Sequence, residues 1–115
     1  MNLRVINLTR NTVLAEAAEV ANTSAKRRTG LLQHTRLPEG EGLWIAPCEA
    51  VHTFGMKFPI DVIYLNRKKK VLKIRSRMER RRISACLTAH SVLELPAGMA
   101  ERTSTEAGDQ LSFER

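Results

Sequence analysis

Six short runs of β-branched, aliphatic and aromatic residues follow one another along most of the chain, and they constrain the fold more than any other feature. They span residues 42–46, 51–56, 60–66, 70–78, 92–95 and 110–113, and each has the length and composition of a β-strand. Proline and glycine separate several of them, at residues 38–40, 47, 59, 96–98 and 108–109, where they favour turns. This spacing predicts a mainly β fold, a small β-sandwich or an open barrel-like domain, with one short α-helix packed against it.

The segment before residue 42 is more ambiguous. Residues 3–8 alternate well enough for a strand, and Arg10-Asn11 is typical of a turn. Residues 13–21 are rich in Ala and Glu, so propensity favours a helix, although no apolar stripe of helical period supports it. A better-marked helix begins near Thr23, where the side chains of residues 22–24 are good N-caps, and ends at Gly30.

Length and composition exclude several classes of protein. A chain of 115 residues suits one domain, residues 1–115, and cannot hold two separate cores. No apolar run approaches the length of a membrane span, and the opening residues lack the apolar centre of a signal peptide, so we expect a cytoplasmic protein with no membrane partner. Cys48 and Cys86 are the two cysteines, and in a reducing compartment free thiols are expected.

The positive charge is concentrated in one stretch. The chain carries +7 overall, but residues 67–82 hold ten basic residues and one acid, which leaves the rest of the chain at −2. In a strand this stretch has a basic face, formed by Lys73, Arg75 and Arg77, and an apolar face, formed by Leu72, Ile74 and Met78. A solvated basic surface explains this pattern, and it also discourages pairing between sheet edges. Binding of nucleic acid or an acidic partner is an alternative that we favour less, because no aromatic residue lies among the basic ones.

Two Cys-x-x-x-His pairs are the most obvious candidates for chemistry. Cys48 precedes His52, and Cys86 precedes His90, at the same spacing. On a strand four residues span about 13 Å, too far for two ligands of one metal ion, so neither a metal site nor a cofactor is predicted. His52 could instead activate Cys48 as a nucleophile, but no third orienting group is evident. An enzyme that uses this pair therefore stays open as an alternative.

Two acidic residues lie within otherwise apolar strands. Alternation places Glu94 on the face opposite Leu93 and Leu95, and Asp61 begins another apolar run. If the face of Glu94 is buried, its carboxylate needs a partner such as Arg28 or His52, because an unpaired buried charge is costly. If that face is solvated, the residue is ordinary, and the same two alternatives apply to Asp61.

Six ordered motifs give the chain a family resemblance. They are Arg28-x-Gly30-Leu31-Leu32, Gly40-Glu41-Gly42-Leu43, Pro47-Cys48-x-x-Val51-His52-Thr53-x-x-Met56, Pro59-Ile60-Asp61-Val62, Leu93-Glu94-Leu95-Pro96-Ala97-Gly98 and Gly108-Asp109. In this order the motifs resemble the family known as domain of unknown function 192 (DUF192), over nearly the whole chain.

The resemblance implies a mainly β sandwich or barrel-like fold with one helix, and it changes residues 13–20 from helix to strand. It implies no activity. The motif positions that it marks as a site hypothesis are Arg28, His52, Met56, Asp61, Glu94 and Asp109. This chain departs from the family at the turn after Asn66, where Lys68-Lys69 replaces the usual Asp-Gly or Asn-Gly pair, so we expect a longer turn there.

The function that these observations favour is a binding module for a small polar ligand or anion, with a pocket lined by His52, Met56, Glu94 and Arg28. A few polar groups beside apolar strands are typical of such a pocket.

Overall fold

The computed structural model describes residues 2–115, which form nine strands and two short helices. The strands are β1 (Asn2–Asn7), β2 (Thr12–Ala21), β3 (Glu41–Ile45), β4 (Ala50–His52), β5 (Ile60–Leu65), β6 (Val71–Met78), β7 (Ile83–Ala85), β8 (Ser91–Pro96) and β9 (Leu111–Glu114). The helices are α1 (Ser24–Thr29) and α2 (Met99–Arg102). The mainly β prediction is confirmed. No helix within residues 2–115 is long and apolar enough to cross a membrane.

Seven strands form one curled sheet in the order β6-β5-β8-β3-β2-β1-β9. Only the β2–β3 pair is parallel among these neighbours. The two outer strands of the sheet meet at one end, where the N–H of Val71 donates to the carbonyl of Asp109 at 2.8 Å and that of Leu111 donates to Lys69 at 3.0 Å. The sheet is therefore a half-barrel, closed at one end by these contacts. Strands β4 and β7 form a separate two-stranded sheet.

The half-barrel separates two apolar cores. The inner core lies on its concave side and includes Leu14, Ile63, Leu93 and Met99 of α2. The outer core lies on the opposite face and is built from Leu31, Leu43, Ile45, Met56, Ile60, Val62, Tyr64, Met78 and Val92. Helix α1, its following turn and the β4–β7 sheet lie over this face, so every residue of β5 is buried on one side or the other.

Strand β2 overrides the helix propensity of its sequence. It pairs with β1 over residues 12–19 and with β3 over residues 17–21. Small Ala15 and Ala18 are buried in the inner core. The strand implied by the family resemblance is correct, and propensity alone was misleading here because tertiary pairing outweighs it.

Helix α1 follows its end signals, whereas α2 was not predicted. In α1 the Thr23 hydroxyl accepts the N–H of Lys26 at 3.2 Å, and Gly30 adopts a φ of 50° at the C-terminus, as expected. The prediction of a single helix is incomplete, because the turn at residues 96–98 continues into α2. Four residues carry too little periodicity to reveal that helix.

Two expectations about strand β6 have different outcomes. Lys69 takes a φ of 68° in a longer turn, in which the Asn66 side chain accepts the N–H groups of Lys68 and Lys70, as expected. The single apolar face of β6 was wrong. A register shift against β5, with Arg77 at a φ of 47°, places Met78 in the outer core, whereas Ile74 packs on the inner core.

Candidate functional site

A small cleft lies between α1, β4 and the outer face of the sheet. Its volume is about 100 Å³. The lining includes Arg27, Arg28, Cys48, His52, Met56 and Glu94. We call it the Glu94 cleft. Five of the predicted site residues therefore come together, and Asp61 is not among them.

Glu94 provides the most unusual group in this cleft. It lies on β8 opposite Leu43 of β3 and Val62 of β5, so its side chain is on the outer-core face, where only 5% of the residue is exposed. Within residues 2–115 its carboxylate has neither a hydrogen-bond donor nor a cation in salt-bridge range, and the partners expected for it, Arg28 and His52, do not pair with it. Burial raises the pKa of Glu94 to about 7.

Two further hydroxyl groups, those of Tyr64 and Ser84, are buried on the same face. They lie close to each other, and Ser84 opposes the rise that burial causes in the pKa of Tyr64. Tyr64 belongs to the outer core, and Ser84 lies on β7, which covers it. Neither hydroxyl lines the Glu94 cleft, so Glu94 is the buried acid that distinguishes it.

Cys48 lies half-buried in the cleft wall, and its thiol is held by the backbone. Sγ donates to the carbonyl of Ala50 at 3.2 Å, and no hydrogen bond joins it to His52 among the described residues. Burial is the largest effect and raises the pKa of the thiol; the charge of Glu94 adds to it, while Arg27 and the bond to Ala50 oppose it. Such a thiol is protonated at neutral pH, so its environment does not activate it as a nucleophile.

The segment after Cys48 forms one wall of the cleft. His52 ends β4 with an exposed side chain, and Met56 is buried against the outer core. The predicted strand over residues 51–56 ends early, because Gly55 adopts a φ of 83° and Met56 N–H turns back to the carbonyl of Thr53 at 3.1 Å. This turn places His52 and Met56 at the same cleft.

Asp61 and Asp109 lie elsewhere and hold the backbone in place. Asp61 accepts the N–H groups of Arg77, Gly98 and Ala100 at 2.8, 3.1 and 2.8 Å, which fixes the start of α2 and the irregular end of β6. Asp109 accepts from Asn7, from Arg10 and from the N–H of Glu106 at 3.0, 3.0 and 2.9 Å. Both carboxylates are thus occupied by protein donors.

The three residues of the predicted basic face of β6 make different contacts. Lys73 donates to the carbonyl of Ala85 at 2.8 Å, and its ammonium lies 5.8 Å from the centre of the Tyr64 ring. Arg77 forms an exposed ion pair with Glu101 at 3.3 Å. Arg75 is half-buried. Lys73 and Arg75 lie opposite Tyr64 and Val62 of β5, which are both outer-core residues, and the register shift follows Arg75 and comes before Met78.

A wider depression of about 740 Å³ adjoins the first cleft at Cys48. Residues 66–68 and His90 line it, and the Nδ1 atom of His90 is buried without a partner. An unpaired neutral nitrogen costs less than an unpaired carboxylate, so we place the candidate site at Glu94 despite its smaller volume. Among the described residues no cluster of three or more His, Cys, Asp or Glu is arranged to hold a metal ion.

Sequence reasoning missed Arg27, which lines the cleft beside Arg28. Both lie in the basic last turn of α1. The position of Arg27 directly before Arg28 in the sequence could have indicated that it reaches the same cleft. Sequence reasoning considered His90 only together with Cys86, because nothing in the sequence shows that the segment after β7 returns to Cys48.

The family model described as "Uncharacterized ACR", DUF192, matches residues 5–113 of the chain. The chain belongs to the DUF192 family. This confirms the resemblance seen in the motifs, and it carries no assigned activity, because the family's function is unknown.

Curated relatives in the family align over nearly the whole of this chain. A UPF0127 protein of Thermococcus gammatolerans is 28% identical and is aligned over 96% of this chain and 74% of its own length. A UPF0127 protein of Pyrococcus furiosus is 29% identical, over 96% of this chain and 98% of its own length.

Solved structures share the DUF192 fold. A crystal structure of a protein of unknown function from Novosphingobium aromaticivorans has a TM-score of 0.82 at 23% identity, covering 97% of this chain and 84% of that chain. A crystal structure from Sinorhizobium meliloti, described as a "putative transcription regulator", has a TM-score of 0.85 at 19% identity, covering 97% and 92%. At these identities the likeness extends to the fold alone.

Proposed function

We propose that this DUF192 protein is a binding module for a small polar molecule whose N–H or O–H donor reaches Glu94 in the cleft. The observation that carries the proposal is a buried carboxylate, 5% exposed, that lines a cleft and has no protein partner within the described residues. An unpaired buried carboxyl group destabilises a fold. Such groups are concentrated at functional sites, where a ligand supplies the missing partner.

The size of the cleft limits the ligand. A volume of about 100 Å³ equals roughly three water molecules in the liquid and is well below the pockets that enclose drug-sized molecules. The ligand is therefore very small, or only one polar end of it enters. Met56 and Ile45 supply apolar contact beside the carboxyl group.

The charges at the cleft favour a ligand with two different ends. Arg27 and Arg28 both belong to the lining and come from the basic last turn of α1, which has no acid in its first turn. An anionic group at these guanidinium groups and a hydrogen-bond donor at Glu94 would satisfy both. The chemical class that fits is a small carboxylate or phosphate ester that also carries an amine or hydroxyl.

Thermal unfolding against a panel of such molecules tests the proposal. We expect at least one to raise the melting temperature of the native protein and to have no effect on Glu94→Leu, which removes the polar group while keeping similar size. Glu101→Gln is the matched control, because Glu101 is an exposed acid on α2, and it should keep the full response. No stabilisation by any compound at millimolar concentration, or an equal response from Glu94→Leu, would refute the proposal.

The alternative of an enzyme using Cys48 and His52 has less support, because the raised pKa of Cys48 is opposite to what a nucleophile needs. Its own test is alkylation of Cys48 as a function of pH. Reaction well below the ordinary thiol pKa, and its loss in His52→Ala, would favour the enzyme over the binding module.

A further inference from the structure

A buried threonine fixes a loop of basic residues in one position. The Thr53 hydroxyl donates to the carbonyl of Glu79 at 2.6 Å and accepts the N–H of Arg82 at 2.9 Å. Its backbone N–H donates to the carbonyl of Arg82 at 2.9 Å, and its carbonyl accepts the N–H of Arg81 at 3.3 Å. The loop between β6 and β7, residues 79–82, is thus held against the turn that follows β4.

This attachment places a segment with two aromatic residues next to the basic loop. His52 and Phe54 flank Thr53, their ring centres are 5.9 Å apart, and Phe54 is 48% exposed. Arg80, Arg81 and Arg82 are all exposed. The basic stretch contains no aromatic residue of its own, but the fold supplies two from a segment about 30 residues earlier. We call His52, Phe54 and residues 80–82 the arginine–aromatic surface.

A second group of basic residues lies near His52. Arg28, in the basic last turn of α1, lines the same cleft as His52. Glu79 is the one acid in residues 67–82. The segment of His52 and Phe54 therefore has basic residues in both elements next to it, the loop 79–82 and α1.

We propose that the arginine–aromatic surface binds single-stranded nucleic acid. Arginines neutralise backbone phosphates, and exposed rings stack on bases without regard to sequence, which is the combination that single-strand binding uses. A duplex hides the faces of its bases, and an acidic peptide has no planar face to place on Phe54. The proposal does not depend on a ligand at Glu94, and its test uses none of the Glu94 variants.

Fluorescence anisotropy with a labelled oligothymidylate of about twelve nucleotides tests it, at about 20 and 200 mM salt. We expect Phe54→Ala to weaken binding at least about fivefold, since stacking on one base is worth that much, with little change in salt dependence. Leu87→Ala is the matched control, because Leu87 is 77% exposed on the turn after β7, and it should bind like the native protein.

Two double variants, which remove the same charge at two different places, test whether binding depends on where the cations lie. Arg80→Gln with Arg81→Asn removes two cations, and Asn accepts the φ of 63° that Arg81 adopts. We expect the salt slope to fall by about 1.4, the value for two phosphate contacts on a single strand. Arg67→Gln with Lys68→Gln makes the same charge change at the β5–β6 turn and should leave binding near its native value.

Several outcomes would overturn the proposal. They are no salt-sensitive complex at low salt, equal binding of a duplex of the same length, equal binding of a polyglutamate peptide, or native affinity in Phe54→Ala. Equal losses from the two double variants would mean attraction by net charge alone, which would also overturn it. Thermal melting of each variant excludes unfolding as the cause of a loss.

Discussion

Replacing Glu94 with Gln should remove the part of the pH dependence of the unfolding free energy that comes from Glu94. The folded-state pKa of Glu94 is about 7, against an ordinary value of 4.5. The folded protein therefore holds the proton more tightly than the unfolded chain does. Protonation of Glu94 therefore adds to the unfolding free energy. This contribution is fully present below the unfolded pKa and is lost as pH rises through the folded pKa.

The size of the effect follows from the two pKa values. A difference of about 2.5 pH units corresponds to about 3 kcal/mol, and most of this should be lost between about pH 5 and pH 8. Because Glu94 is 5% exposed, solvent screening does not reduce this figure greatly. Gln has the same shape and does not titrate, so its own cost of burial is independent of pH.

Urea unfolding of the native protein and Glu94→Gln, at several pH values, measures the difference in unfolding free energy directly. Effects of the other carboxylates cancel in this difference. Glu94→Gln should gain about 2 to 3 kcal/mol relative to the native protein between about pH 5 and pH 8. A difference that stays constant within about 0.5 kcal/mol over that range would refute the reasoning, and with it the account of Glu94 as a desolvated, unpaired acid.

Three further variants test the framework around the site. Asp61→Ala leaves three backbone N–H groups without their acceptor and should cost about 2 to 4 kcal/mol, seen as a fall of 10 °C or more in melting temperature, whereas Asp61→Asn should cost less. Gly42→Ala places a Cβ 2.9 Å from the Leu95 side chain and 3.0 Å from a neighbouring carbonyl, so chemical unfolding should show a loss of about 1 to 3 kcal/mol, and an unchanged midpoint would contradict that contact. Burial tends to raise the pKa of Asp109, but its hydrogen bonds from Arg10, Asn7 and Glu106 outweigh it, so the pKa lies below its ordinary value. The stability that this carboxylate contributes is present above its unfolded pKa and is lost as pH falls through the folded one, so Asp109→Asn should be less stable than the native protein near pH 7 and lose less on acidification to about pH 3.

Most of the strands and α1 could be predicted because their signals are local. Short runs of β-branched and other apolar residues marked β5 and β8, and Thr23 and Gly30 marked the ends of α1. Strand β2 could not be distinguished from a helix by propensity, because what fixes it is pairing with β3, more than twenty residues away. Short α2 and β7 lack enough residues to show a period.

The site was predictable as a set of residues but not as a set of contacts. Glu94 was identified as a residue that needs an explanation, and the fold places it beside Arg28, His52 and Cys48. The sequence could not indicate that Asp61 faces the opposite side and accepts backbone N–H groups. An Asp at the start of an apolar strand is equally compatible with a ligand site and with a structural role. The sequence also could not place Phe54 beside the basic loop, because Thr53 joins segments that are far apart in the chain.

The pairing of β1 with β9 has a consequence for how the chain reaches its native state. Arg4 lies opposite Glu114 and Asn7 opposite Leu111, so the first and last strands are neighbours in the half-barrel. Nearly the whole polypeptide must be looped before this pairing can form, and the entropy of that closure is lost before any contact compensates for it. The native contact order is consequently high, and folding belongs in the range of roughly milliseconds to seconds that sheet proteins of this kind occupy. Whenever β9 is undocked, β1 has an unpaired edge, and such an edge favours aggregation during folding.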